Sequence, residues 1–243
     1  MKTSLPATNR QAMRILSWNC NGGFRNKLHL VADLNADVLV IQECEDPING
    51  PPIYYEWADQ YVWAGRNKAK GLGIFAKNGL TLLPLEWEDA GTALFLPVEV
   101  SVGMQIVGVW TQASASSRDS YIGQFWHYFQ LNRSQFGMKT LICGDFNSNS
   151  RWDKPRRLWN HTRCVSELES LGYKSLYHQL TGESQGAETQ PTFYLHRNLG
   201  KDYHIDYAFA HSSLITGEAI NLTIGNPDTW LRHSDHMPLI FEL

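Results

Sequence analysis

No stretch of the chain is apolar for the length that a bilayer span requires, and mean hydropathy is negative, so a soluble protein without a membrane partner is expected. The segment Met1 to Met13 carries Pro6, Asn9 and Arg10 and lacks the apolar core of a secretory signal, and residues 1–12 read as a flexible lead-in. Cysteine is scarce. The four cysteines, at 20, 44, 143 and 164, never take CxxC spacing, and Cys20, Cys44 and Cys143 sit in or beside strand-like runs as small apolar fillers; a reducing, cytoplasmic setting fits. No sign of charge dominates: the formal net charge is -3, and bulk electrostatics do not announce a polyanionic partner. Gly-x-Ser-x-Gly, HExxH, Walker A and Gly-x-Gly-x-x-Gly patterns are missing, and no cysteine has the setting of a thiol protease. Repeats, low-complexity tracts and linkers are missing too. Gly182 to Pro191 is polar but too short to divide domains, so 13–243 reads as a single domain with no obligate protein partner evident.

What the chain does have is a repeated habit: a short β-branched run stops on an acid or an amide. Arg14-Ile15-Leu16-Ser17-Trp18 leads to Asn19 and Asn21, Val38-Leu39-Val40-Ile41-Gln42 to Glu43, and Leu141-Ile142-Cys143-Gly144 to Asp145 and Asn147. Asp206 heads the run Tyr207 to Ala210, and Ser234-Asp235-His236 precedes the last apolar run, Met237 to Phe241. Strand ends are rigid and sheets gather them, so these groups can converge on one metal or one substrate.

Strand-like runs occur at 13–18, 37–42, 72–76, 92–102, 104–111, 139–143, 205–210, 217–224 and 237–242. The alternation Leu94, Leu96, Val98, Val100, Val102 followed by Gly103-Met104 predicts an antiparallel hairpin with the next run. Val38 to Ile41 and Leu141 to Cys143 are continuously apolar, as central strands covered on both faces would be. Helical periodicity appears over Phe24 to Leu34, Ser120 to Phe136 and Thr162 to Leu171, the last stopped by Gly172. Together these predict a sandwich of two mixed sheets with helices outside.

Each strand end also has a plain structural explanation. Glu43 reads as a solvated loop acid or as a ligand at the mouth of a buried strand, and Asn19 and Asn21 as turn formers or as polar contacts. In Gly144-Asp145-Phe146-Asn147 the acid and the amide point to the same side of an extended chain, so both can hold one water or phosphate; an Asx turn is the alternative. His236 follows an acid and precedes Met237-Pro238. A carboxylate that fixes it would keep it protonated to stabilise negative charge, and Asp206 is the candidate for that carboxylate, unless His204, Asp202 and Tyr203 draw it into a local cluster. The set is rich in oxygen donors, which suit Mg²⁺ or Mn²⁺ rather than structural zinc and suggest metal-assisted phosphoester hydrolysis.

In their order, Trp18-Asn19-Cys20-Asn21-Gly22, Gln42-Glu43, Gly144-Asp145-Phe146-Asn147, Ile205-Asp206-Tyr207 and Ser234-Asp235-His236-Met237-Pro238 resemble the endonuclease/exonuclease/phosphatase superfamily. This is the DNase I-like fold that includes exonuclease III-type repair nucleases. The resemblance spans nearly the whole chain. It implies an α/β (α+β) four-layer sandwich, in which two mixed, mostly antiparallel β-sheets pack face to face with helices outside. It also implies roles: Glu43 as principal metal ligand, Asn19 holding nearby water or phosphate, and Asp235 close to the metal. Asp145 would orient or deprotonate the attacking water, Asn147 would donate to phosphate, and His236, held by Asp206, would stabilise the transition state. At two positions the chain departs from many relatives: Gln112 stands where they place Tyr or His, and Asn21 where repair-type members often have Asp. Both remain candidate substrate contacts.

For substrate, the segment after Asn147 interleaves Arg151, Lys154, Arg156 and Arg157 with Trp152 and Trp159. Cations track phosphates and tryptophans stack on bases, so this loop suits nucleic acid, DNA ahead of RNA; the alternative is a solvated loop with its tryptophans in the core. Arg66, Lys68 and Lys70 could extend the patch. Phe193 and Tyr203 resemble aromatic positions on the substrate side of repair-type relatives. The expected activity is a divalent-metal-dependent DNA nuclease. The competing readings are a phosphatase or phosphodiesterase for a small or lipid phosphoester, and a catalytically weakened nucleic-acid-binding member.

Overall fold

Val38 and Val40 point into one apolar cluster and Leu39 and Ile41 into another, which is why the continuous apolar run forms a central strand covered on both faces. The computed structural model describes residues 12–49, 53–89, 91–116, 120–215 and 221–243. The expected lead-in up to residue 11 and residues 217–220 of an expected strand lie outside them.

One six-stranded sheet runs β13 (Asn221–Ile224), β14 (Leu239–Glu242), β1 (Arg14–Asn19), β2 (Val38–Cys44), β4 (Lys70–Ala76), β3 (Gln60–Asn67). The other runs β5 (Leu82–Pro84), β6 (Phe95–Val100), β7 (Met104–Trp110), β8 (Thr140–Asp145), β12 (Asp206–His211), β9 (Tyr173–Ser175). Each sheet has one parallel pair near its centre, β1 with β2 and β7 with β8, and antiparallel neighbours elsewhere. The predicted hairpin is present as β6 and β7, paired from Phe95 opposite Val109 to Val100 opposite Met104. The inner faces meet closely: a Cβ on Gly108 of β7 would lie 3.1 Å from Val40 of β2.

Helices cover the outer faces. α3 (Ile122–Leu131) buries Phe125 and Phe129 over the second sheet, and α4 (His161–Ser170) adds Cys164, Val165 and Leu168. Asn160 caps α4 through the Arg163 amide at 2.8 Å, and Asp153 takes the amides of His161 and Thr162, each at 2.8 Å. Over the first sheet, α1 (Leu28–Ala32) and α2 (Ile53–Trp57) pack with an aromatic group that includes Phe24, Tyr54 and Phe75. The periodic run Phe24 to Leu34 is therefore not one helix. Glu45 takes the amides of Phe24 and Arg25, and Lys27 bonds the carbonyls of Cys20 and His233, so a 3-10 turn precedes α1. Other elements carried too little periodicity to be read from sequence: β3, β5, β9, α5 (Leu176–Thr181), α6 (Pro227–Trp230) and the small hairpin β10 (Phe193–Tyr194) with β11 (Asp202–Tyr203).

The topology brings the polar strand ends together. The parallel pairing of β1 with β2 ends at Asn19 beside Gln42, one residue before Glu43, while antiparallel β12 places its first residue, Asp206, opposite the last of β8, Asp145. The chain enters β14 from the same end, since Leu239 pairs with Ser17.

Gly144, one residue before Asp145, has φ +146, and a Cβ there would lie 1.9 Å from the Val109 carbonyl oxygen. Gly144→Ala is expected to cost about 3 kcal/mol or more, because strain and backbone overlap add. Urea denaturation of the variant measures this, and an unchanged midpoint would contradict the close β7–β8 approach.

Candidate active site

Asp145 and Asp206 face each other across the β8–β12 pair, both buried, an arrangement that like charges oppose. His236 lies between them. Its Nδ1 is 2.9 Å from Asp206 Oδ2 and its Nε2 is 3.8 Å from Asp145 Oδ2. Burial disfavours charge on the ring, yet the Asp206 and Asp145 carboxylates outweigh it and raise the His236 pKa well above its ordinary value. Burial also raises the Asp145 carboxyl, with His236 pulling it down and Asp206 pushing it up. Three supports fix this group. The Thr192 hydroxyl accepts the amides of Ile205 and Asp206, each at 3.0 Å, Ser234 Oγ accepts the His236 amide at 3.0 Å, and the Phe193 ring lies 4.6 Å from the imidazole.

Asn147 and Asp145 share a side, as their spacing implied. Asn147 donates its backbone amide to Asp145 Oδ1 and its side-chain amide to Asp145 Oδ2 and to the Thr111 carbonyl, all at 2.9 Å. Phe146 points the other way and is buried against Phe125, Tyr207 and Phe209 with ring centroids 5.0, 5.7 and 5.6 Å away. The two polar side chains are thus set by an aromatic anchor between them.

Asn19 bridges the two sheets: its Nδ2 is 3.0 Å from Asp145 Oδ2 and 3.3 Å from Glu43 Oε1, while its Oδ1 accepts the Asn21 amide at 3.0 Å. Glu43 is the extra residue of a bulge in β2, between Gln42 opposite Leu72 and Cys44 opposite Gly71, and has φ 62. That bulge turns the carboxylate out of the strand toward Asn19. Asn21 (φ 54) and Asn147 (φ 46) share the left-handed conformation that Asn tolerates better than most residues. Asp235 joins the group through Asn21, whose Nδ2 lies 3.2 Å from Asp235 Oδ1.

Beside Asn147 opens a cleft of about 630 Å³ lined in part by Trp152, Trp159, Phe193, Tyr203, Tyr121, Lys154 and Arg157. Trp152 is 48% exposed, and its ring lies 5.2 Å from that of Tyr203. Not every predicted substrate residue converges here. Arg156 lines an adjoining groove, with Arg163, that shares Arg157 with the cleft; Arg151 is tied to the Gly186 carbonyl at 2.6 Å, and Gln112 lines a neighbouring cavity with Arg66.

Behind the cleft lies a buried polar network that local spacing did not disclose. Asn149 donates to Glu188 and the His204 carbonyl, Glu188 meets His178 at 3.1 Å, and His161 bonds Ser148 and Gln185. It ties the Gly182 to Pro191 loop to the segment that carries Asn147. The supporting hydroxyls of Thr192 and Ser234 leave little trace in sequence, apart from the serine two residues before a histidine that signals a hydroxyl turn.

The donors present fit a hard divalent cation. Glu43 and Asp235 supply carboxylate oxygens, and the Glu43 carboxylate already holds a cation, the Lys70 ammonium. Asp145, Asp206 and His236 have ligand atoms within 4.8 Å of one another and are the one group with metal-like spacing among the described residues.

The Endonuclease/Exonuclease/phosphatase family model matches residues 16–236, and the chain belongs to that family. It is a hydrolase of phosphoester bonds. No curated protein matches it by sequence. Among solved structures it is similar to the 3′ phosphatase NExo from Neisseria bound to product DNA hairpin, at 20% identity and TM-score 0.68 over 96% of this chain and 99% of that one. It is also similar to an AP endonuclease from Archaeoglobus fulgidus, at 19% and 0.67 over 94% and 98%, and to TDP2 from C. elegans, at 14% and 0.66 over 95% and 74%. These likenesses establish the two-sheet, four-layer fold. Among the described residues no helix is long and apolar enough to cross a membrane.

Burial lowers the His161 pKa to about 4, so the native state excludes a proton that the unfolded chain binds below about pH 6.5. Stability from this group is complete above pH 6.5 and is lost as pH falls toward 4. Glu188 lies at about 2, since bonds from His178, Gly186 and Asn149 outweigh its burial; its contribution is present above the ordinary carboxylate value of 4.5 and is lost as pH falls through 2. Between pH 8 and 4 the raised His236 and Asp145 groups pull stability the other way, so the test is the difference between wild type and His161→Asn: urea midpoints measured from pH 8 to 4 are expected to show wild type losing stability relative to the variant as pH falls from 6.5 to 4. An identical slope in the variant would remove His161 from the account.

Proposed function

We propose that the chain is a divalent-metal-dependent nuclease that cleaves DNA in preference to RNA, with 13–243 as one catalytic domain. The observation that supports this best is the continuity of the polar line Asp206, His236, Asp145, Asn19, Glu43 with an aromatic, basic-edged cleft beside Asn147. The Neisseria structure similar in fold holds a product DNA hairpin.

Mg²⁺ or Mn²⁺ held by Glu43 with Asp235 nearby would neutralise phosphate charge and polarise the ester. The Asp145, Asp206 and His236 group is the poorer seat, because a protonated His236 presents N–H groups and no lone pair. Asp145, its carboxyl raised by burial and oriented by Asn147 and Asn19, accepts the proton of the attacking water. His236, kept cationic by Asp206, faces Asp145 through Nε2 and stabilises the charge that develops on phosphate oxygens. Asn19 acts as the tie between the two carboxylates. Asn147 donates to phosphate on releasing one of its two side-chain bonds. Trp152, Tyr203 and Phe193 offer base-stacking faces, and Lys154 and Arg157 follow the strand's phosphates.

Labelled DNA, RNA and a small phosphomonoester, each assayed with Mg²⁺, Mn²⁺ and a chelator, test this reading. Cleavage of DNA is expected to vanish on chelation and to fall about 10²- to 10⁴-fold in Asp145→Asn and His236→Ala. Full activity in either variant would sink the site assignment. Trp152→Ala is expected to raise KM for DNA about tenfold, from the loss of one stacking face, and to spare the small ester. An equal effect on both substrates would defeat the role of the cleft.

A further inference from the structure

Of the three cations on the β3–β4 hairpin, two are turned away from the site: Lys68 Nζ bonds Asn49 at 2.8 Å and Arg66 reaches the Gly91 carbonyl at 3.3 Å. Lys70 is turned toward it. It opens β4 directly after the turn, and its amide is bonded to Asn67 Oδ1 at 3.1 Å, so the root of the side chain is fixed. Its stem passes over Gly22, with Cε 3.7 Å from the place a Cβ would take there, and the ammonium closes on Glu43 Oε2. The other oxygen of Glu43 faces Asn19. The neighbouring acid, Glu45, does not share Lys70, being spent on Arg25 and the amides at 24 and 25.

We propose that Lys70 is a resident counter-cation of Glu43 and a positioning residue that sets metal affinity: a divalent ion binds only by displacing its ammonium. The inference rests on the reading of Glu43 as a metal ligand. One carboxylate oxygen cannot give its full charge to two cations, and the two cations would repel each other. The ammonium is also half-exposed, with 47% of the side chain accessible, so water takes it up readily once it is displaced. Lys70 thus keeps Glu43 aimed and neutralised before the ion arrives and makes the site a weak one when no phosphate is present to share the ion. The displacement breaks only an ion pair and moves no proton.

Mn²⁺ binding to the full chain without nucleic acid, followed by electron paramagnetic resonance of the free ion and by calorimetry, tests this in wild type, Lys70→Met, Lys70→Arg and Glu43→Gln. Lys70→Met is expected to bind Mn²⁺ about three- to tenfold more tightly than wild type, Lys70→Arg to stay near wild type, and Glu43→Gln to lose the site. Tighter binding is a gain that a merely structural role for Lys70 would not produce. Unchanged or weaker binding in Lys70→Met, with Glu43→Gln still defective, would overturn the counter-cation and leave Glu43 as the metal ligand. Equal Mn²⁺ binding by wild type and Glu43→Gln would overturn the metal reading itself.

Discussion

Two buried aspartates that face each other at the ends of two internal strands impose the constraint from which the rest of the site follows. Register alone brings Asp145 and Asp206 together, and a buried charge left uncompensated costs about 3–5 kcal/mol. His236 answers both at once. To put it there, the chain must enter β14 beside β1, with the Ser234 hydroxyl bonded to the Asn19 carbonyl and the Trp18 indole to the His236 carbonyl. The same contacts that neutralise Asp206 also hold His236 in its charged form.

The site also stores backbone strain, and the aromatic core underneath offsets it. Glu43, Asn147 and Asn21 all adopt positive φ, a conformation that costs of the order of 1–3 kcal/mol for a residue with a side chain. Phe146 is locked between Phe125, Tyr207 and Phe209, and Trp18 packs edge-on to Trp230 at 5.1 Å. Full burial of side chains of this size contributes about 1.5–3 kcal/mol each, enough to hold strained neighbours in place. Rigidity at the strand ends is thus a property of the core rather than of the polar residues themselves.

The aromatic cleft is organised differently from the polar group at the strand ends. Trp152, Tyr203 and Phe193 come from a 3-10 turn and a short hairpin, and only some of the cations around them face the same cleft. The polar network of Asn149, Glu188, His178 and His161 supplies the rigidity that longer regular elements would otherwise give. It couples the Gly182 to Pro191 loop to Asn147 with buried hydrogen bonds, whose partners cost about 1–3 kcal/mol each if orphaned.

Sequence alone determined the elements whose physics is local. Continuous apolar runs marked β2 and β8, alternation marked β6, and helical spacing marked α3 and α4, because burial on two faces, one face or a stripe leaves a periodic trace. The five strand-end motifs likewise carried the family in their order, without any contact being visible. What tertiary structure decided is what depends on register and turns. It gave the cleft Trp152 and Arg157 as lining and set Arg156 and Gln112 in adjoining hollows, with Arg151 turned to the Gly186 carbonyl, although four of the five crowd together in sequence. It placed Lys70 of β4 on Glu43 of β2, and it set Asp206 opposite Asp145 although helices and loops separate them along the chain. No periodicity encodes such pairings, since each is the sum of a bulge, a strand offset and a loop length rather than a property of neighbouring residues.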